Sequence, residues 1–216
     1  MAKKAESTLF NMLLSLTLIA LVASLALALV NNATKGPIEE VNKAKVAEAI
    51  KKVLPEGKKY TVSADTVTVK MAKGDANLVR YTATDDDGTL IGKAIESFDD
   101  NGFGGRLTAM VGFDAEGNIS GYEILGSSET PGLGAKADKW FKPTKVDNDG
   151  NMVNDLESGR NVLGKNPSIN KISVKKDGGE IDAITGSTIT SRAFCRLVET
   201  AYTAFNTDTE KGDKEQ

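Results

Sequence analysis

The chain opens on an apolar run and then changes period twice. No residue from 7 to 34 is charged, and 12–30 is nearly continuous Leu, Ala, Val and Ile. As a helix, that run is about 28 Å long at 1.5 Å rise per residue, close to the roughly 30 Å hydrocarbon thickness of a bilayer. The pattern predicts a transmembrane helix over 9–31, after a short N-terminal segment 1–8. Next, Pro37 suits the first turn of a helix. Ile38, Val41, the stem of Lys45, Ala49 and Val53 give that helix an amphipathic stripe, and Pro55-Glu56-Gly57 stops it, so 32–57 reads as a stalk. Alternation then takes over. Residues 60–71, around Thr66-Val67-Thr68-Val69, and then 78–84, 90–98, 106–113 and 119–125 read as strands. The turns Asp85-Asp86-Asp87-Gly88, Asp99-Asp100-Asn101-Gly102 and Asp114-Ala115-Glu116-Gly117 make the later strands an antiparallel meander. Helical period returns with Phe194, Leu197, Val198, Ala201 and Phe205. The expected fold class is α+β: a mostly antiparallel sheet flanked by helices over 58–205, preceded by one transmembrane helix and followed by a polar, disordered tail over 206–216.

A cleaved signal peptide competes for the first segment, because Ala26-Leu27-Ala28 loosely matches a cleavage site. The apolar cores of such peptides run about 7–15 residues. This run is longer, which favours an uncleaved anchor. Lys3 and Lys4 precede it, while Lys35 alone follows it before Glu39 and Glu40. The positive-inside bias then sets the N-terminus in the cytoplasm and the body of the protein across the membrane.

Composition narrows the chemistry. The net charge is −3 with no strongly basic patch, so nucleic acid is not an expected partner. The chain has no histidine and a single cysteine, Cys195. Iron–sulfur clusters ask for about four cysteines and haem usually for an axial histidine. Zinc catalysis and Ser-His-Asp chemistry are excluded within this chain on the same ground, so neither a metal site nor a catalytic residue is expected. If the protein handles electrons, an organic cofactor carries them. Cys195, beside Phe194 on the helical run, reads as a core thiol. Asp147-Asn148-Asp149-Gly150-Asn151 has the look of a calcium loop. Its glycine is fourth instead of sixth and Ser158 stands where a glutamate is needed, so it reads as a turn.

Two stretches are candidates for function. The first is Asp182-Ala183-Ile184-Thr185-Gly186-Ser187-Thr188-Ile189-Thr190-Ser191, a hydroxyl-rich turn opening the C-terminal helix. Free backbone N–H groups and the helix dipole favour an anion at such a start, phosphate above all. Gly186 allows close backbone approach or positive φ there. A Ser/Thr N-cap that merely starts the helix fits the same residues. The second stretch, Ser128-Glu129-Thr130-Pro131-Gly132-Leu133-Gly134, describes a rigid loop with exposed backbone groups. Read alone it is equally a connector to a helix near Lys139, with Trp140 and Phe141 as core.

Both stretches together resemble the FMN-binding domain family. Asp-x-x-Thr-Gly-Ser-Thr-x-Thr over 182–190 is similar to its flavinylation motif, with Ser187 where alanine is usual, and Glu129–Gly134 is similar to its Glu-Thr-Pro-Gly-Leu-Gly loop. The approach Val174-Lys175-Lys176-Asp177-Gly178-Gly179 adds to the likeness. The family includes the G subunit of the Rnf electron-transport complex and the C subunit of the sodium-pumping NADH:quinone reductase; chain length is closer to the former. The resemblance implies FMN attached by a phosphoester to Thr188, with Thr185, Gly186, Ser187, Thr190 and Asp182 around the attachment site. It implies Glu129, Thr130, Gly132, Leu133 and Gly134 against the isoalloxazine ring. It further implies an electron-relay component of an ion-translocating oxidoreductase in a bacterial inner membrane, the soluble domain on the periplasmic side. A separate flavin transferase and the other subunits would be its partners. A membrane-anchored module that binds a phosphorylated ligand reversibly, without redox activity, is the alternative.

Overall fold

The structure, a computed structural model, describes residues 8–55, 59–71, 74–147 and 149–207. The N-terminal lysines, Glu56-Gly57 and the polar tail beyond Thr207 lie outside the described residues. Two compact units divide the chain between Lys45 and Val46. Helix α1, Leu9–Val53, runs through the first unit, and its last turns from Val46 onward belong to the second. It contains an apolar window of mean hydropathy 2.7 with none of it buried, long and apolar enough to cross a membrane. The helix does not begin at Pro37, as the sequence suggests, but passes through it. An interior proline costs about 3 kcal/mol through its missing N–H and its clash with the preceding turn. Here the segment is exposed, so water can satisfy the freed Ala33 carbonyl, and helix-forming sequence on both sides carries the winding across. Ile38 and Val41 of the predicted stripe are exposed, whereas Ala49 and Val53 are buried.

The second unit is a five-stranded antiparallel meander in the order β1 (Thr61–Met71), β2 (Gly74–Thr84), β3 (Leu90–Gly102), β4 (Gly105–Asp114) and β5 (Ile119–Gly126). Period-two alternation gives the sheet two apolar faces. Val67, Val69, Leu78, Ile95, Leu107, Val111 and Phe113 pack with helix α3 (Thr188–Asn206), whose stripe Phe194, Leu197, Val198, Ala201 and Phe205 is buried as the spacing predicts. On the other face, Ala83, Ala94 and Met110 meet Ala49, Ile50 and Val53 of the last turns of α1. A side chain at Gly112 would collide with the Val53 carbonyl, so glycine lets that turn lie directly on β4. Buried Arg80 donates to Asp65 Oδ2 at 2.6 Å and to the Ala204 carbonyl at 3.0 Å, holding the C-terminal turn of α3 to β2.

One predicted turn is strand. Asp99-Asp100-Asn101-Gly102 belongs to β3, and the chain reverses one step later, at Phe103-Gly104. Asp99 is 3% exposed and takes two 2.9 Å hydrogen bonds from the Arg196 guanidinium on α3. That bidentate pairing is what admits an aspartate into the sheet. Burial pushes the Asp99 carboxyl up, but the Arg196 and Asn101 donors more than offset this, and it sits below the ordinary carboxylate range. The Asp147 stretch is a turn, as expected. It closes a small hairpin, β6 (Thr144–Val146) and β7 (Met152–Asn154), with Asp147 Oδ1 accepting from the Asn151 amide at 2.8 Å.

Candidate functional site

The two stretches singled out in the sequence meet. The loop after β5 leads through the 3-10 turn Gly134–Lys136 into helix α2 (Ala137–Trp140), and it lies against the start of α3. Thr190 Oγ1 donates to Glu129 Oε2 at 2.9 Å, a buried bond joining the two motifs. Gly134 stands beside this pair; a Cβ there would overlap the Glu129 carboxylate and lie 2.7 Å from Thr190 Oγ1. The Leu133 amide bonds the Thr130 carbonyl at 3.1 Å, and the Ala135 amide bonds it at 3.3 Å, which folds the loop tightly.

The α3 end is equally built. The Ser187 amide donates to the Ile184 carbonyl at 2.9 Å across a turn in which Gly186 has φ +77°, a conformation other residues resist. Ser191 Oγ accepts from the Ile184 amide and donates to the Ser187 carbonyl, both at 2.9 Å, fixing turn to helix. Ser187 occupies the N-cap position, yet its hydroxyl makes no capping bond. The N-cap reading therefore does not account for these hydroxyls. The first-turn amides are left without a side-chain cap, an arrangement suited to an anion.

Between the two motifs is a pocket of about 350 Å³ lined by Phe103, Glu129, Thr130, Leu133, Gly134, Gly186, Ser187, Thr188 and Ile189. That is within the usual range for a small-molecule site, roughly 300–1,000 Å³. Thr188, the first residue of α3, is half-buried at its edge. Glu129 is 8% exposed, and its Oε1 is buried without a hydrogen-bond partner. A desolvated acceptor left unsatisfied costs about 1–3 kcal/mol, and no lysine or arginine is paired with it among the described residues. Of the sequence candidates, Thr190 lies beneath the pocket, while Thr185, Gly132 and Asp182 are not part of its lining. Asp182 instead pairs with Lys175 at 2.7 Å, and its carbonyl accepts from Trp140 Nε1 at 2.9 Å. Trp140 and Phe141 are packing residues, Phe141 stacking on Phe194 at 4.1 Å between ring centres. The Cys195 thiol is buried in the core and pushed up to about 12 by that burial, so it is no thiolate nucleophile. Sequence reasoning missed Phe103 and Ile189. The available signal for the first was an aromatic residue set among glycines, Gly102-Phe103-Gly104-Gly105.

Pocket size, apolar walls and an uncapped helix start suit a phosphorylated, partly aromatic molecule, and FMN fits that description. The FMN-binding domain family matches residues 102–203. The G subunit of the Na(+)-translocating ferredoxin:NAD(+) oxidoreductase complex of Acetobacterium woodii is 34% identical over 190 residues, covering 85% of each chain. The G subunit of the ion-translocating oxidoreductase complex of Vibrio vulnificus is 28% identical, covering 92% of this chain and 90% of its own. Its counterpart in Shewanella baltica is 31% identical, covering 88% and 86%. The chain belongs to the FMN-binding domain family, in the group formed by these G subunits.

Proposed function

We propose that this chain is the FMN-carrying electron relay of a membrane-bound, ion-translocating oxidoreductase complex of the Rnf type, its flavin held by a phosphoester to Thr188 Oγ1. The observation that carries the reading is the Thr190–Glu129 bond, which joins both motifs around one pocket with Thr188 at its edge. The family and the names of the relatives support the redox setting. Bound FMN supplies one- and two-electron chemistry. The chain's own residues hold it: the α3 start suits the phosphate, while Leu133 and the backbone of the Thr130–Gly134 loop border the ring. Attachment leaves the ring free to react.

A threonine hydroxyl is a weak nucleophile at neutral pH, and Glu129, the carboxylate in the pocket lining, is engaged by Thr190 instead. Loading therefore falls to a flavin transferase using FAD. The bond from Thr188 Oγ1 to the flavin phosphorus forms, the FAD pyrophosphate bond breaks, AMP leaves, and the hydroxyl proton passes to a base on the transferase. Asp182 and the hydroxyls around it, Thr185 included, form the surface that enzyme recognises. The N-terminal helix anchors the chain in the membrane, and the lysine asymmetry around it favours a periplasmic position for the FMN domain. The remaining subunits are its electron-transfer partners.

The test is a denaturing gel under ultraviolet light of chain co-produced with a transferase. A fluorescent band present in wild type and missing in Thr188→Val is expected. Loss of all flavin on denaturation would instead favour the reversible phosphate-ligand module.

A further inference from the structure

The residue on which the pocket turns, beyond the two motifs, is Phe103. It is 70% exposed and makes no ring contact among the described residues, although it lines the pocket. Leu133 and Ile189, 44% and 48% exposed, share that lining. Three large apolar side chains kept out of the core around one cavity suit an apolar occupant. The β3–β4 tip that carries Phe103 is held in place from two sides. At its neck, Arg106 donates to Asp100 at 2.6 Å and lies over the Phe98 ring at 4.2 Å. From beneath, a Cβ on Gly102 would come 2.7 Å from Glu129 Oε1, and one on Gly104 would run into the Ser128 carbonyl. The tip thus rests directly on the Glu129 loop, and the buried, unpartnered Glu129 oxygen lies under it. A mere surface loop needs neither the close contact nor an aromatic at its apex.

We propose that Phe103 is the stacking residue of this pocket: its ring covers one face of the bound heterocycle, with Leu133 and Ile189 bordering the same ring. On the reading above, that heterocycle is the isoalloxazine of FMN, and the inference rests on that reading. Offset stacking on an aromatic favours a flat π-system over any other apolar occupant.

The full-length chain, co-produced with a transferase, provides the test. Phe103→Trp puts an electron-rich ring at the tip, and contact with it quenches flavin emission. Native-state fluorescence, divided by that of the same sample after denaturation, should fall severalfold below wild type. Ile169→Trp, at a position 82% exposed and outside the pocket lining, should keep the wild-type ratio. In a Thr188→Val background, Phe103→Ala should weaken binding of free FMN by about tenfold. An unchanged ratio in Phe103→Trp, or an unchanged FMN affinity in Phe103→Ala, overturns the proposal. If the denatured wild type carries no flavin, the covalent reading has failed, and the FMN titration still decides the role of Phe103.

Discussion

Glu129 and Thr190 hold the pocket together through one hydroxyl. Thr190 is fully buried and its hydroxyl is the donor the structure gives to the Glu129 carboxylate. Thr190→Val keeps the shape and removes that donor, leaving both carboxylate oxygens unsatisfied. The expected loss is about 1–3 kcal/mol in urea unfolding, with Thr190→Ser close to wild type. An unchanged midpoint would mean that the bond has no structural weight. The Asp99–Arg196 pair gives a prediction with a pH sign. Asp99 titrates lower folded than its ordinary 3.8, so its contribution is present above that value and lost as pH falls through the folded value. Arg196→Ala should cost about 1.5–3 kcal/mol at neutral pH, and the gap from wild type should narrow as pH falls below 3.8 through the folded Asp99 value. A gap independent of pH would contradict the pairing. Neither pair is visible in the sequence, since each joins residues brought together only by the meander and α3. Asp99 looks like a turn residue for that reason: nothing local announces its arginine.

Among the elements, the strands are legible because one strand's two faces meet different neighbours and must alternate. The β3–β4 reversal is displaced from its expected place because Asp and Asn at positions 99–101 mimic a turn, while the glycines that form the real one flank Phe103. Pro37 misleads for a similar reason. Proline is a strong local signal, and an exposed helix with good flanks outweighs it. Contact between elements predicts more. The last turn of α1 lies on Gly112, where an added methyl would overlap the Val53 carbonyl. Gly112→Ala should therefore cost about 1–3 kcal/mol, seen as a lower melting temperature of the FMN-binding unit. Equal thermal stability would show that the helix end shifts freely.

For the molecule as a whole, the apolar run of α1 is long enough to cross a membrane, and the family match points to FMN. The anchoring claim is tested by Leu18→Arg with Val22→Arg, which sit on one helix face inside the apolar run. Each arginine near a span's centre costs about 2.5–3.5 kcal/mol on the insertion scale, so the double variant should leave carbonate-washed membranes while wild type stays. Retention of both would remove the span from the account. The central claim, a flavin phosphate esterified to Thr188, is most directly read by intact mass of the chain purified from cells containing the transferase. The expected result is one added FMN less one water per wild-type chain, and none on Thr188→Val. Bare polypeptide in both would contradict it.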